Sequence, residues 1–137
     1  MRVCRYLEFD KLADRHGVEK IKTVGDCYIA CAGVLTNVAE HADVMCGMGC
    51  GIQQAIARLN KKYKHIVDQA GVPIKMRAGI HTGRFVGGVI GREKFGLDLW
   101  GNTVTIAQKM EECGVKDRVS TVVSIECVAE IERSMWV

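Results

Sequence analysis

The order of hydrophobic patterns along the chain predicts an α+β layered fold, with helices packed on a mostly antiparallel sheet. Three observations lead there. A stripe of apolar residues at three- and four-residue spacing runs from Glu40 to about Lys64; a run mixing in β-branched residues, Val18 to Val24, and a second run, Cys27 to Ala32, flank Gly25-Asp26; and Ile74 to Ile80 alternates apolar with polar residues. With 137 residues, 48% of them hydrophobic, and one proline, the chain has the length and apolar content for a single packed domain spanning 1–137. No repeat, linker or low-complexity segment interrupts it.

Taken in order, Val3, Tyr6, Leu7, Phe9, Leu12 and Ala13 fall on one side of a helix over residues 3 to 15, and His16-Gly17 ends it. Gly25-Asp26 then turns a β-hairpin. Side chains two apart on a strand share a face, so Val18, Lys20, Lys22 and Val24 are expected together with Ile21 opposite, and two lysines on one face call for water or an anion. In the long helix Met45, Met48, Ile52, Ala55, Ile56, Leu59 and Tyr63 form the buried stripe, while Arg58, Asn60, Lys61 and Lys62 fall elsewhere.

After Pro73 the alternation puts Ile74, Met76, Ala78 and Ile80 on one face of a half-buried strand and Lys75, Arg77 and Gly79 on the other. Thr82-Gly83 is expected to turn the chain into a second strand, Phe85 to Ile90, whose Gly87-Gly88 permits close backbone approach. Residues 102 to 112 read as a helix begun near Asn102, Val119 to Val123 as a strand, and Glu126 to Met135 as a helix.

Composition removes several classes of function. With 19 Lys+Arg against 16 Asp+Glu the net charge is only +3, which gives no electrostatic footprint for nucleic acid. The run Val44 to Ile52 is too short to span a bilayer, so no membrane contact is expected from this segment. The opening Met1-Arg2-Val3-Cys4 lacks a secretory pattern, and seven cysteines is an odd number; reduced thiols in the cytoplasm are expected, with no disulfide.

Few residues stand out chemically from spacing alone. Asp26, at a hairpin tip, either completes the turn or offers a carboxylate to a hard cation. Arg77 is either a surface arginine or a bidentate fork for phosphate oxygens. Asp98, just before the Asn102-Thr103 helix start, reads as capping electrostatics. The pairs Cys27/Cys31 and Cys46/Cys50 lack the Cys-x2-Cys spacing of structural zinc and read as small buried side chains. No Ser-His-Asp or Cys-His arrangement and no Walker sequence is present.

Three separated blocks carry more information together: Lys20-Ile-Lys-Thr-Val-Gly-Asp-Cys-Tyr-Ile29, Met76-Arg-Ala-Gly-Ile-His-Thr-Gly83 and Phe95-Gly-Leu-Asp-Leu-Trp-Gly-Asn-Thr-Val104. In this order they resemble the class III nucleotide cyclase catalytic domain, over about residues 5 to 130. The resemblance implies a ferredoxin-like core that dimerises head to tail with active sites at the interface. There, two Mg²⁺ (or Mn²⁺) ions assist attack of a ribose 3′-oxygen on the α-phosphate, releasing pyrophosphate. It makes Asp26, with Val24 and Gly25 beside it, the second of two metal-binding aspartates, and Arg77 a triphosphate contact. Lys22 and Asp98, flanked by Leu99 and Trp100, match the pair that recognises adenine, where guanylyl cyclases carry a glutamate and a small residue.

The chain departs from that pattern in ways that bear on activity. The first metal aspartate is expected before residue 1 and a phosphate-contacting lysine beyond Val137, as in a domain truncated at both ends. Thr105 and Lys109 replace the asparagine and the transition-state arginine; lysine keeps the charge without the planar fork. Gly25-Asp-Cys-Tyr, the His41-Ala run and Thr105 are similar to the metal-donating first half of membrane adenylyl cyclases. The implied function is ATP conversion to cyclic AMP beside a second catalytic domain, as homodimer or heterodimer, in the cytoplasm of a parent that is membrane-tethered or free. The alternatives are a degenerate half that only dimerises, and a guanylyl cyclase, which Lys22 and Asp98 disfavour.

Overall fold

The computed structural model of the chain describes residues 2–122 and 133–136. Its elements run α1 (Arg2–His16), β1 (Glu19–Val24), β2 (Cys27–Cys31), α2 (His41–Lys62), α3 (Lys64–Ala70), β3 (Ala78–Gly83), β4 (Val86–Ile90), β5 (Gly96–Trp100), α4 (Asn102–Glu112), β6 (Val119–Val122) and β7 (Arg133–Trp136). Five strands form one sheet in the order β1-β2-β7-β3-β6, antiparallel except for the β3/β6 pair, and β4 with β5 forms a separate two-stranded ribbon. The expected α+β layering and mostly antiparallel sheet are therefore observed.

Periodicity located the main helices because burial drives them. On α2, Met45, Met48, Ile52, Ala55 and Ile56 are buried, packed with Phe9, Leu12 and Ala13 of α1 over Tyr28, Ala30, Ala78 and Ile80 of the sheet, and Leu59 is buried further along the helix. Gly49 lets α2 close on Ile80 and Val119, whose methyls lie 3.4 and 3.3 Å from where its Cβ would stand. α1 stops where Gly17 takes φ 65°. The long helix ends at Tyr63 and a short α3, absent from the sequence reading, follows until Gly71 at φ 69°.

The opposite face of the sheet is covered by α4. A smaller cluster of Cys31, Leu99 and Ala107 lies there, with Ile21, Cys27 and Ile29 packed on it. Gly79 is the closest point of that packing: a Cβ on it would sit 2.2 Å from the Ala107 carbonyl oxygen and 2.4 Å from the Glu111 nitrogen.

Several local expectations are corrected. Lys20 pairs with Ala30 but Lys22 with Ile29, so a bulge at Ile21 turns the two lysines to opposite faces; Val18 is buried while Val24 is exposed. The strand expected from Ile74 begins only at Ala78, and Ala78, Gly79, Ile80 and His81 are buried in succession, as befits a central strand covered on both faces rather than a half-buried one. β3 runs through Gly83, and β4 pairs with β5, which had not been read as a strand, instead of with β3. Of the helix expected over Glu126 to Met135, residues 126–132 lie outside the described residues and 133–136 form a strand.

Candidate active site

One end of the sheet gathers the charged residues. β2 and β3 both run antiparallel to β7, with Ala30 and Ile80 opposite Trp136, so they are parallel to each other; β6 is parallel to β3, Ala78 facing Val119. The residues that enter these three strands, Asp26, Arg77 and Lys116, are thereby brought to the same edge. A cavity of about 460 Å³ opens there, with Arg5, Asp26, Lys75, Arg77, Glu111 and Lys116 among its lining residues.

Local geometry sets each group. Gly25 takes φ 61° in the two-residue hairpin loop between Val24 and Cys27, leaving Asp26 at the tip, and the Tyr6 hydroxyl donates to the Gly25 carbonyl at 3.2 Å. Arg77 Nε donates to Glu111 Oε1 at 2.8 Å, a pair made possible by the close seat of α4 on Gly79. A guanidinium carries five donors, more than one carboxylate oxygen engages, so this bond orients Arg77 in the cavity without exhausting it. Cys27 lines the same space, its thiol pKa pushed up by burial and then by the Glu111 and Asp26 carboxylates.

A second group lies where β1 meets β5, and none of its residues lines that cavity. Lys22 Nζ donates to Asp98 Oδ2 at 2.6 Å, across 76 residues of sequence. The Lys22 hydrogen bond holds the Asp98 carboxyl below the usual carboxylate range, aided by the Leu99 N–H that donates to Oδ1 at 2.9 Å. Asp98 thus does not cap α4, whose N-cap is Gly101 with no side-chain cap bond. Leu99 is buried, whereas Trp100 is half exposed over Gly88. Val24 is exposed.

Thr105 and Lys109 form a third group, one turn apart on the exposed side of α4. Thr105 Oγ1 donates to the Gly101 carbonyl at 3.5 Å, and Lys109 Nζ to Glu112 Oε2 at 2.6 Å, which raises the lysine's pKa. The structure therefore pairs Lys22 with Asp98, sets Asp26 and Arg77 on one cavity, and leaves Thr105 and Lys109 on one helix face, each bonded to another residue.

Sequence reasoning missed Arg5, Lys75, Glu111 and Lys116. The signal for Glu111 was Gly79, since a glycine beside Arg77 marks the face where a helix backbone comes close. Reading the paired cysteines as small buried side chains holds for Cys31, holds in part for the half-buried Cys27 and Cys46, and fails for Cys50, which is exposed.

Among the described residues no three His, Cys, Asp or Glu side chains converge as a metal cage. Asp26 supplies a single hard carboxylate, which suits Mg²⁺ or Mn²⁺ held mainly through phosphate oxygens. The described donor set fits one such ion, since the other carboxylate lining the cavity, Glu111, is engaged by Arg77.

The hairpin-tip aspartate and the helix-anchored arginine thus share one cavity at an end of the sheet. Residues 4–134 match the family described as the adenylate and guanylate cyclase catalytic domain, and the chain belongs to that family. It is 38% identical over 111 residues to adenylate cyclase type 9 of Gallus gallus, covering 81% of this chain and 8% of that protein. It is 36% identical over 106 residues to an adenylate cyclase of Mycobacterium tuberculosis (strain ATCC 25618 / H37Rv), covering 77% and 22%. The chain thus spans under a quarter of the length of either relative.

Among solved structures it is similar to the dimeric guanylyl cyclase domain of the RhoGC fusion protein from Blastocladiella emersonii, with a TM-score of 0.75 and 27% identity over 99% of this chain and 80% of that one. The adenylyl cyclase CyaB from P. aeruginosa, at 16% identity and a TM-score of 0.77 over 98% and 79%, shares the fold. Both nucleotide classes occur among these relatives. No helix among the described residues is long and apolar enough to cross a membrane.

Proposed function

We propose that this chain is the catalytic domain of an adenylyl cyclase, converting ATP to cyclic AMP and pyrophosphate, with a second cyclase catalytic domain completing its sites. The Lys22–Asp98 pair carries the choice of base. An ammonium donor 2.6 Å from a carboxylate acceptor offers complements to adenine's N1 acceptor and N6 amino donor, and the resemblance places this pair, rather than a glutamate and a small residue, in adenylyl cyclases. A competition assay between ATP and GTP tests it: preference for GTP would overturn the reading.

Asp26 would hold a divalent ion, which when bound would supply Lewis-acid stabilisation of the charge developing on the phosphates. Arg77, oriented by Glu111, holds phosphate oxygens through its remaining N–H groups. Thr105 and Lys109 face the partner-completed site, where lysine offers positive charge without a two-pronged contact. In the full-length protein Asp26→Ala should abolish metal-dependent cyclic AMP formation; unchanged turnover refutes the metal role. The substrate and the free thiols accord with a cytoplasmic domain of a longer parent.

One observation favours a second reading, a degenerate half that dimerises without turnover: Lys109 is engaged by Glu112 at 2.6 Å on its own helix. Activity of the chain alone, compared with activity beside a candidate second half, separates the two. Turnover by the chain alone excludes the degenerate reading.

A further inference from the structure

We propose that Tyr6 is a positioning residue for Asp26: its hydroxyl, gripped by Arg5, fixes the peptide that aims the hairpin-tip carboxylate. The consequence for metal rests on the role proposed above for Asp26, while the clamp itself rests on geometry. Asp26 follows the most permissive backbone position of the hairpin. Gly25 takes φ 61° in the two-residue loop, and a Cβ there would meet nothing within 4 Å, so nothing packs against that side of the turn.

The Tyr6 hydroxyl reaches this loop from α1, donating to the Gly25 carbonyl at 3.2 Å. That oxygen belongs to the peptide plane joining Gly25 to Asp26. Because the plane is rigid, holding its oxygen fixes the direction from which the Asp26 Cα, and so its side chain, departs. The direction of the proton is set as well. Arg5 Nη2 donates to the same hydroxyl at 3.2 Å, and a guanidinium can only donate, so the hydroxyl accepts from Arg5 and gives its own proton to Gly25. A charged donor on its lone pair polarises the O–H and strengthens the bond it makes onward.

The ring that carries the hydroxyl is seated against the core. It stacks on Tyr28 of β2, with centroids 6.2 Å apart at 21°, and meets Phe9 edge-on at 6.3 Å; Phe9 in turn is edge-on to Tyr28 at 5.5 Å and only 1% exposed. A second fastening joins the same two elements further along. The Tyr28 hydroxyl donates to Asp10 Oδ1 at 2.9 Å, and Lys20 Nζ to both Asp10 oxygens at 2.8 and 3.0 Å. α1 is thus pinned to the body of the hairpin at Asp10 and holds its tip through Tyr6. Tyr6→Phe keeps the ring contacts and deletes the clamp, which separates positioning from packing.

Nitrogen-15 relaxation of the full chain, together with the metal dependence of the full-length protein beside its second catalytic domain, is the test. In Tyr6→Phe the order parameters of the Gly25 and Asp26 amides should fall from about 0.85 to below about 0.7, with the Tm within about 3 °C of the parent. The Mg²⁺ concentration for half-maximal cyclic AMP formation should rise about tenfold, while the rate at saturating Mg²⁺ stays within about twofold. Tyr63→Phe removes a hydroxyl at the junction of α2 and α3 and should change neither readout. A loop already mobile in the parent, unchanged order parameters in Tyr6→Phe, or equal losses in Tyr63→Phe each overturn the clamp. A loosened loop with an unchanged Mg²⁺ requirement overturns the positioning of Asp26. A parent that forms no cyclic nucleotide, yet whose loop loosens in Tyr6→Phe, would leave the clamp standing and remove the cyclase reading.

Discussion

Strand β3 and the β4–β5 ribbon are built from similar residues and meet opposite fates. β3 carries Ala78, Gly79, Ile80 and His81 under helices on both faces. The ribbon carries Val86, Gly87, Gly88, Val89 and Ile90, with Trp100 opposite, and leaves Val86 67%, Val89 68% and Trp100 44% exposed. A two-stranded ribbon is marginal alone, and this one is clasped to the body by the Lys22–Asp98 pair, by buried Leu99, and by Thr103 Oγ1 donating to the Arg84 carbonyl at 2.5 Å. The difference teaches that burial here is assigned by what lies above a strand, and it leaves the ribbon's apolar surface uncovered, where contact with the proposed second domain can be tested.

Glycines offer the sharpest way to break this comparison. In β3, Gly79→Ala drives a methyl into backbone atoms of α4 at 2.2 and 2.4 Å, which cannot move without shifting the helix. We expect a loss of about 3 kcal/mol and a fall in Tm of roughly 10 °C. In the ribbon, Gly88→Ala meets only the Trp100 ring at 3.2 Å, a half-exposed side chain free to swing. Its cost should stay under about 1 kcal/mol. Thermal melts of the two variants check both, and equal losses would mean that α4 does not seat on β3 as described.

A charge on the ribbon should act on association rather than stability. Val89→Lys alters an exposed position, so the Tm should move by under about 2 °C. Pairing with a second catalytic domain should weaken by about tenfold or more, measured by sedimentation equilibrium. An unchanged dissociation constant would show that the ribbon lies outside that interface.

The two regions also differ in how well the sequence announced them. The stripe from Met45 to Leu59 and the Gly25-Asp26 turn were legible because helical period and hairpin chemistry are local. The central burial of β3 was not, because Gly79 counts as neither apolar nor polar in an alternating pattern, yet it marks a point where the α4 backbone lies directly against the strand. β5 was hidden by its length, five residues with Asp98 at the centre, and by the pull of the following helix start. The bulge at Ile21 has no sequence mark, so the faces of Lys20 and Lys22 could only come from the paired register. Within the site, Lys22 and Asp98 were coupled by family resemblance and are found in contact, whereas Glu111, which orients Arg77, became visible only once α4 was placed.

Acid should loosen the ribbon before the core, through Asp98. Its carboxyl pKa is lowered chiefly by the hydrogen bond from Lys22, so the folded form favours the charged state. The stabilisation is present above the ordinary carboxylate pKa of about 4 and is lost as pH falls through the lowered folded value. The Asp98 side chain keeps 22% and Lys22 40% of its surface in solvent, which limits the effect to under about 1 kcal/mol. The Tm difference between the parent and Asp98→Asn should therefore be constant from pH 7 to about pH 5 and shrink below about pH 4. Hydrogen exchange over the same range should show β4 and β5 amides losing protection while those of β3 hold, because the clasp ties down the ribbon alone. A difference that stays flat to pH 3, or protection lost first in β3, would place the clasp's contribution in the core and erase the contrast between the two regions.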